Sequence, residues 1–234
     1  MKRTMTLVAV ASCVAILAGC QDMAQNLTAT RAEAPLAKVR SGPRIDGKIS
    51  GAWLKAPPLV LGNVMSDDVG ALKTTAYVLT DGKNLYVAWE CMEPDTGSIV
   101  ADAVERDGQV WNDDSVELFI TPDVSKGYYQ FAVNSKGTLM DGKHTVGDTS
   151  DNSWDSSAQV KASVVTNAKW VVTMSIPLKD LGVAPGKGQT WQMNLNRTKP
   201  SGDRAWVESS WSAKGRSAYH DAEGWGKLTA VDID

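Results

Sequence analysis

Apolar and polar residues alternate with a period of two along most of the chain beyond residue 70, the pattern of half-buried strands. Leu72 to Thr80 and Leu85 to Met92 read as two strands, and Asp81-Gly82-Lys83-Asn84 between them reads as a hairpin turn. Ser115–Thr121 and Tyr128–Asn134 repeat the arrangement around Pro122-Asp123 and Gly127. In the first of these, Val116, Leu118 and Ile120 share one face, and Ser115, Glu117 and Phe119 the other. In the second, Tyr129, Phe131 and Val133 oppose Gln130, Ala132 and Asn134. Gln159–Val165 and Lys169–Ile176 form a third hairpin at Thr166-Asn167. Thr190–Arg197 sets Trp191, Met193 and Leu195 inward against Gln192, Asn194 and Asn196, and Gly226–Val231 closes the sheet. Short helical turns are expected at Ile49–Leu54, with Trp53 as a plug, and at Pro177–Gly182. Polar loops fill 94–108, 141–157 and 198–223. Many short strands without a long amphipathic helix predict an all-β fold: a β-sandwich or jelly roll of about ten strands with one or two short helical turns.

The first twenty residues read differently. Lys2 and Arg3 precede an apolar run from Leu7 to Leu17, shorter than the roughly 20 residues that span a bilayer. The run ends Leu17-Ala18-Gly19-Cys20, which resembles the lipobox of bacterial lipoprotein signal peptides and implies lipidation at Cys20. Gln21 after the Cys implies, by the same resemblance, the outer membrane. Residues 21–36 are polar and without periodicity, and read as a flexible tether to a domain over 37–234. Loss of Lys2 and Arg3 with residues 1–20 takes the formal net charge from −3 to −5. That balance, without a basic cluster, argues against nucleic acid as a partner. Cys91 is then the lone free thiol, and its alternation with Leu85, Val87 and Trp89 marks it as a buried apolar residue.

Nine Trp against two Phe is a skewed aromatic usage, and surplus Trp suits a recognition surface. Trp111 sits on a polar loop just before a strand, followed by Asp113 and Asp114. Glu117, Gln130, Asn134, Gln192, Asn194 and Asn196 recur on strand faces turned from the apolar core. Amides have low strand propensity but offer both donors and acceptors, as sugar hydroxyls do. Amides, a carboxylate and flanking aromatics together make a sugar-binding surface in chemical terms.

Three segments resemble family 9 carbohydrate-binding modules: Asp46-Gly47 with Ala52-Trp53, the run Trp111 to Ile120, and Ser210-Trp211-Ser212 through Tyr219-His220-Asp221 to Leu228. The resemblance implies a sandwich that takes the end of a sugar chain between two aromatic rings. Trp111 matches the first ring and Tyr219 the second, usually Trp; Glu117 matches a carboxylate that accepts from hydroxyls. Ala132 stands where sugar-binding members carry Arg, so Arg197 or Arg216 is the candidate for the missing cation, and His220 for a further contact. Members also hold structural calcium, for which Asp67, Asp68, Asp102, Asp113 and Asp123 are candidate oxygen donors.

Three alternatives stand beside a lipid-anchored, non-catalytic carbohydrate-binding protein. A glycoside-processing enzyme needs two facing carboxylates, yet Asp114 and Glu117 fall on opposite strand faces, which leaves Asp113 or Asp155 to pair with Glu117. A b-type haem domain of the related DOMON type would use His144 or His220 with Met140 or Met193. The third is a structural cell-envelope module of the same fold whose site has decayed at Ala132.

Overall fold

The computed structural model describes residues 32–64, 72–146, 149–151, 153–182, 189–200, 206–212 and 219–230. They form thirteen strands: β1 (Glu33–Lys38), β2 (Leu59–Asn63), β3 (Thr74–Thr80), β4 (Asn84–Met92), β5 (Ser115–Thr121), β6 (Tyr128–Asn134), β7 (Leu139–Thr145), β8 (Thr149–Asp151), β9 (Gln159–Val165), β10 (Lys169–Pro177), β11 (Thr190–Pro200), β12 (Trp206–Ser210) and β13 (Gly226–Ala230). Helical structure among the described residues is confined to short 3-10 turns.

The first layer runs β8-β7-β6-β5-β11, and the second β9-β10-β4-β3. Beyond β11 the first layer divides: β13 pairs with Thr190–Met193 and β12 with Asn196–Pro200. The second layer divides in the same way, because β3 pairs with β2 through Thr74–Ala76 and with β1 through Leu79 and Thr80. The β2–β12 and β1–β13 pairs then join the layers along one edge.

The alternation places the core. Val116, Leu118, Ile120, Phe131, Val133, Trp191, Met193 and Leu195 from the first layer pack against Val78, Val87, Trp89, Trp170, Val172 and Met174 from the second. Cys91 lies in the same core, and burial pushes its thiol up to about 12, so it is inert at neutral pH. Trp53 plugs a smaller cluster with Leu79, Tyr86 and Val39, as the Ile49–Leu54 turn predicts.

The strand count exceeds the expected ten because β1, β8, β12 and most of β7 fall in segments that the pattern assigns to tether or loop, and β2 in a segment to which it assigns no element. Residues 33–36 of the segment read as a tether therefore belong to strand β1. Glu33-Ala34-Pro35-Leu36-Ala37-Lys38 has little strand propensity of its own; its parallel partners β13 and β3, distant in sequence, make it a strand. The 141–157 loop contains the end of β7, all of β8, and Trp154, which packs on Tyr129 and Phe131 at ring separations of 5.1 and 6.1 Å.

Candidate carbohydrate-binding site

The core-averted face of β6, β5 and β11 carries Gln130, Glu117, Phe119, Asn194 and Asn196, in register across the three strands. Above part of this face lies a cavity of about 380 Å³. Glu117, Phe119 and Gln130 line its base; Trp111, Met140, His144, Thr198, Glu208, Tyr219 and His220 line its sides.

Trp111 reaches it from a 3-10 turn, Val110–Asn112, just before β5. Val110 is fully buried against Ala132, Met140 and Ala103, which pins the turn. Asp113 fixes its exit: its oxygens accept from the backbone N–H of Asp102 and Ala103 and from Nδ2 of Asn134, all within 3.1 Å. With both neighbours anchored, the Trp111 side chain is left 40% exposed. Two buried flanks and one projecting ring make a rigid aromatic platform.

Glu117 is buried, and its Oε2 accepts from Nε2 of Gln130 at 2.8 Å. The Gln130 Oε1 lies 2.9 Å from Nε2 of His144. The His144 ring stacks on Tyr128 at 4.4 Å and 11°, and the Tyr128 hydroxyl lies 2.7 Å from Nδ1 of His220. One continuous chain of contacts thus runs from Glu117 to His220. It sets the amide orientation: with Nε2 facing a carboxylate, Oε1 is the group that faces His144, whose Nε2 then donates.

Tyr219 and His220 lie on a turn held by Trp225, whose Nε1 donates to the Tyr219 carbonyl at 3.1 Å. Tyr219 is only 7% exposed and packs on Phe119 with Trp225. It is a wall of the cavity more than a free ring, so the two aromatic positions are unequal.

Trp111, Glu117, Gln130, Tyr219 and His220 therefore meet in one cavity, as the sequence suggests. Asn134, Asn194 and Arg197 do not line it, and each has a structural commitment instead. Asn134 is fully buried; it donates to Ala103 O and Asp113 and accepts from the backbone of Lys136 and Thr138. Asn194 donates to Asn196, and its Oδ1 accepts from Ser210 and from the Ser212 hydroxyl and N–H. Arg197 follows Trp191, Met193 and Leu195 in the alternation, so its side chain enters the core face. There it donates to Leu72 O, Met92 O and Glu93 and lies 5.7 Å over the Trp170 ring. Arg216, like Cys20, lies outside the described residues. Ala132 explains the departure at its own position: it is fully buried under Val110 and Met140, which fill the space a longer side chain would need.

His144, Met140, Thr198 and Glu208 are additional lining residues. His144, on β7, and Glu208, on β12, fall in segments read as loops; Thr198 lies one residue past the expected end of its strand, on β11, and Met140 at the edge of the 141–157 loop. His144 is not an exposed loop residue but the middle of the Glu117–His220 chain.

Among the described residues, the named calcium donors Asp102, Asp113 and Asp123 form no cluster of three. Asp113 already accepts three N–H groups, and Asp123 accepts from Ser125 and pairs with Lys126. Asp67 and Asp68 lie outside the described residues. Among the described residues one acidic cluster is present, Asp107, Asp141 and Asp155. The Arg106 guanidinium stands among them at 3.6, 2.7 and 2.7 Å, where a cation would sit, so this set does not fit calcium. Nor do Asp113 or Asp155 face Glu117 as a second catalytic carboxylate, each being held by the groups just named. Met193 lies in the core, on the opposite face of β11 from the cavity, and cannot oppose His144 or His220 across one iron.

The profile of the family described as "Carbohydrate family 9 binding domain-like" matches residues 45–232. The chain belongs to that family. Proteins of known structure share the fold. A candidate carbohydrate-binding protein of Bacteroides uniformis is 20% identical, with 86% of this chain and 100% of that one covered at a TM-score of 0.70. A family 9 module of Caldicellulosiruptor kristjanssonii, in complex with cellotriose, is 15% identical, with 87% and 95% covered at 0.65. The same organism's module with glucose gives 15%, 86%, 97% and 0.66. No curated protein matches the chain.

Proposed function

We propose that this protein is a non-catalytic carbohydrate-binding protein, anchored by a lipid at Cys20 in the bacterial outer membrane, that takes the end of a sugar chain in the cavity at Trp111. One observation carries the reading: an exposed, rigidly mounted Trp ring shares a cavity with a buried carboxylate–amide pair. The Trp111 ring stacks on the C–H face of a pyranose, while Glu117 and Gln130 bond its hydroxyls. Tyr219 and Phe119 close the opposite side.

Isothermal titration of wild type and Glu117→Gln with a panel of mono- and disaccharides tests it. Losing a charged acceptor weakens binding by roughly 2 kcal/mol, about thirtyfold. A wild type that binds no sugar, or a Glu117→Gln variant that binds as tightly as wild type, contradicts the reading.

A further inference from the structure

The two layers turn different chemistry outward. The outer face of β6, β5 and β11 carries the cavity, whereas the outer face of β3, β4 and β10 is covered by the segment 39–56. Val39, Trp53 and Ala56 of that segment pack on Leu79, Tyr86 and Ala88. Gly47 pins its middle: the N–H donates to Thr173 Oγ1 at 3.0 Å, and the carbonyl accepts from the Ser163 hydroxyl at 2.6 Å.

The apolar side chains of this cover face the sheet, which leaves its charges in solvent. Arg40, Arg44, Lys48 and Lys55 are all exposed. Lys161 joins them from β9, where it is exposed and in register with Thr173. Lys169 on the same face pairs with Glu90, and Asp46 lies 3.8 Å from Arg44. Six cations against two carboxylates leave a formal balance of +4, in a chain whose formal net charge is −3. The Asp81–Lys83 turn at the rim adds one charge of each sign. Leu54, 65% exposed beside Lys55, and Val60, 42% exposed on β2, project among the cations. The cavity on the other layer has the opposite sign: Glu117 and Glu208 line it, and no Lys or Arg does among the described residues.

Cations around a few projecting apolar side chains suit an anionic bilayer. Ammonium and guanidinium groups meet the lipid phosphates, and the apolar groups enter the headgroup layer. Chain order agrees. The stretch between Cys20 and β1, twelve residues, reaches at most about 40 Å, and β1 leads directly into the basic segment through the Val39 N–H bond to Thr80 O.

We propose that the basic face built on residues 39–56 docks on the anionic phospholipid headgroups of the membrane that holds the chain, which turns the cavity away from the bilayer. The proposal does not depend on what the cavity binds. Lysine footprinting of the full chain on vesicles tests it, with a water-soluble acetylating reagent and peptide mass spectrometry. A lipid at Cys20, or the apolar run before it, attaches the chain to vesicles of any composition, so attachment alone does not report on the face. The vesicles are phosphatidylcholine alone, or with about a third phosphatidylglycerol. Lys48, Lys55 and Lys161 are expected to label several-fold more slowly on the anionic vesicles. Lys126, exposed on the β5–β6 turn, is expected to label equally on both. Roughly 1 M sodium chloride, where the Debye length falls to about 3 Å, should abolish the protection. Arg44→Glu with Lys55→Glu should abolish it at Lys48 and Lys161 while leaving the melting temperature and sugar affinity unchanged. Equal labelling on both vesicle types overturns the proposal, as does protection that extends to Lys126 or survives salt. Protection that appears without vesicles as protein concentration rises assigns the face to a second copy and overturns it too.

Discussion

At the scale of single residues, side-chain type alone does not separate ligand contacts from structural ones; the face and the partners do. Asn134 and Gln130 lie on the same face of β6, yet Asn134 ties down the loop before Trp111 while Gln130 faces the cavity. Arg197 shows the other way to be misled. As a spare cation it is attractive for sugar hydroxyls, but its odd place in the β11 alternation sends it into the core, where it pairs with Glu93. Replacing Arg197 by Met should cost about 3–5 kcal/mol in urea unfolding, because buried Glu93 loses a principal partner and two carbonyls lose their donor. Sugar affinity of the folded variant should be unchanged; a selective loss of affinity would return Arg197 to the site.

At the scale of elements, the hairpin strands with strong alternation were legible. β3, β4, β5, β6, β9 and β10 stand within two residues of where the alternation puts them. The strands that were not legible have distant partners or weak patterns: β1 pairs in parallel with β13 and β3, and β7 contains Asp141-Gly142-Lys143. Of the cavity wall, Met140, His144, Ser150 and Glu208 lie on β7, β8 and β12. The Trp111 run brings Trp111, Glu117 and Phe119 to the cavity, while its two Asp residues serve the loop. Asp114 accepts from Val100 N–H and lies 3.5 Å from Lys199. Burial is the largest influence on its carboxyl and holds its pKa above the ordinary value, although that N–H and the nearby cations pull it down. The folded state therefore binds this proton more tightly than the unfolded chain, so the group's contribution to stability falls as pH rises from about 4 through the folded pKa. An Asp114→Asn variant lacks this term. Thermal melts across mildly acidic pH should show its stability relative to wild type rising with pH; a flat or falling difference would contradict the assignment.

At the scale of the molecule, one face of the β6–β5–β11 layer carries the cavity, and the opposite face packs in the core. The proposed lipidation at Cys20 would add an address. Twelve residues separate Cys20 from β1, and an extended chain of that length reaches at most about 40 Å, so a lipid at Cys20 would keep the domain close to the membrane surface. Cys20→Ala should move the protein from the membrane fraction to the soluble fraction without altering sugar affinity. Retention of the variant in the membrane fraction would show that Cys20 is not the anchor.

The central claim is that Trp111 is the platform of a sugar site. Tryptophan fluorescence of the wild type and of Trp111→Ala, titrated with the saccharide panel, tests it most directly. A saturable change in wild type that is absent in the variant, with melting temperatures within a few degrees because Trp111 is 40% exposed, is the predicted result. An equally saturable change in both proteins would place the sugar elsewhere on the molecule and contradict the account.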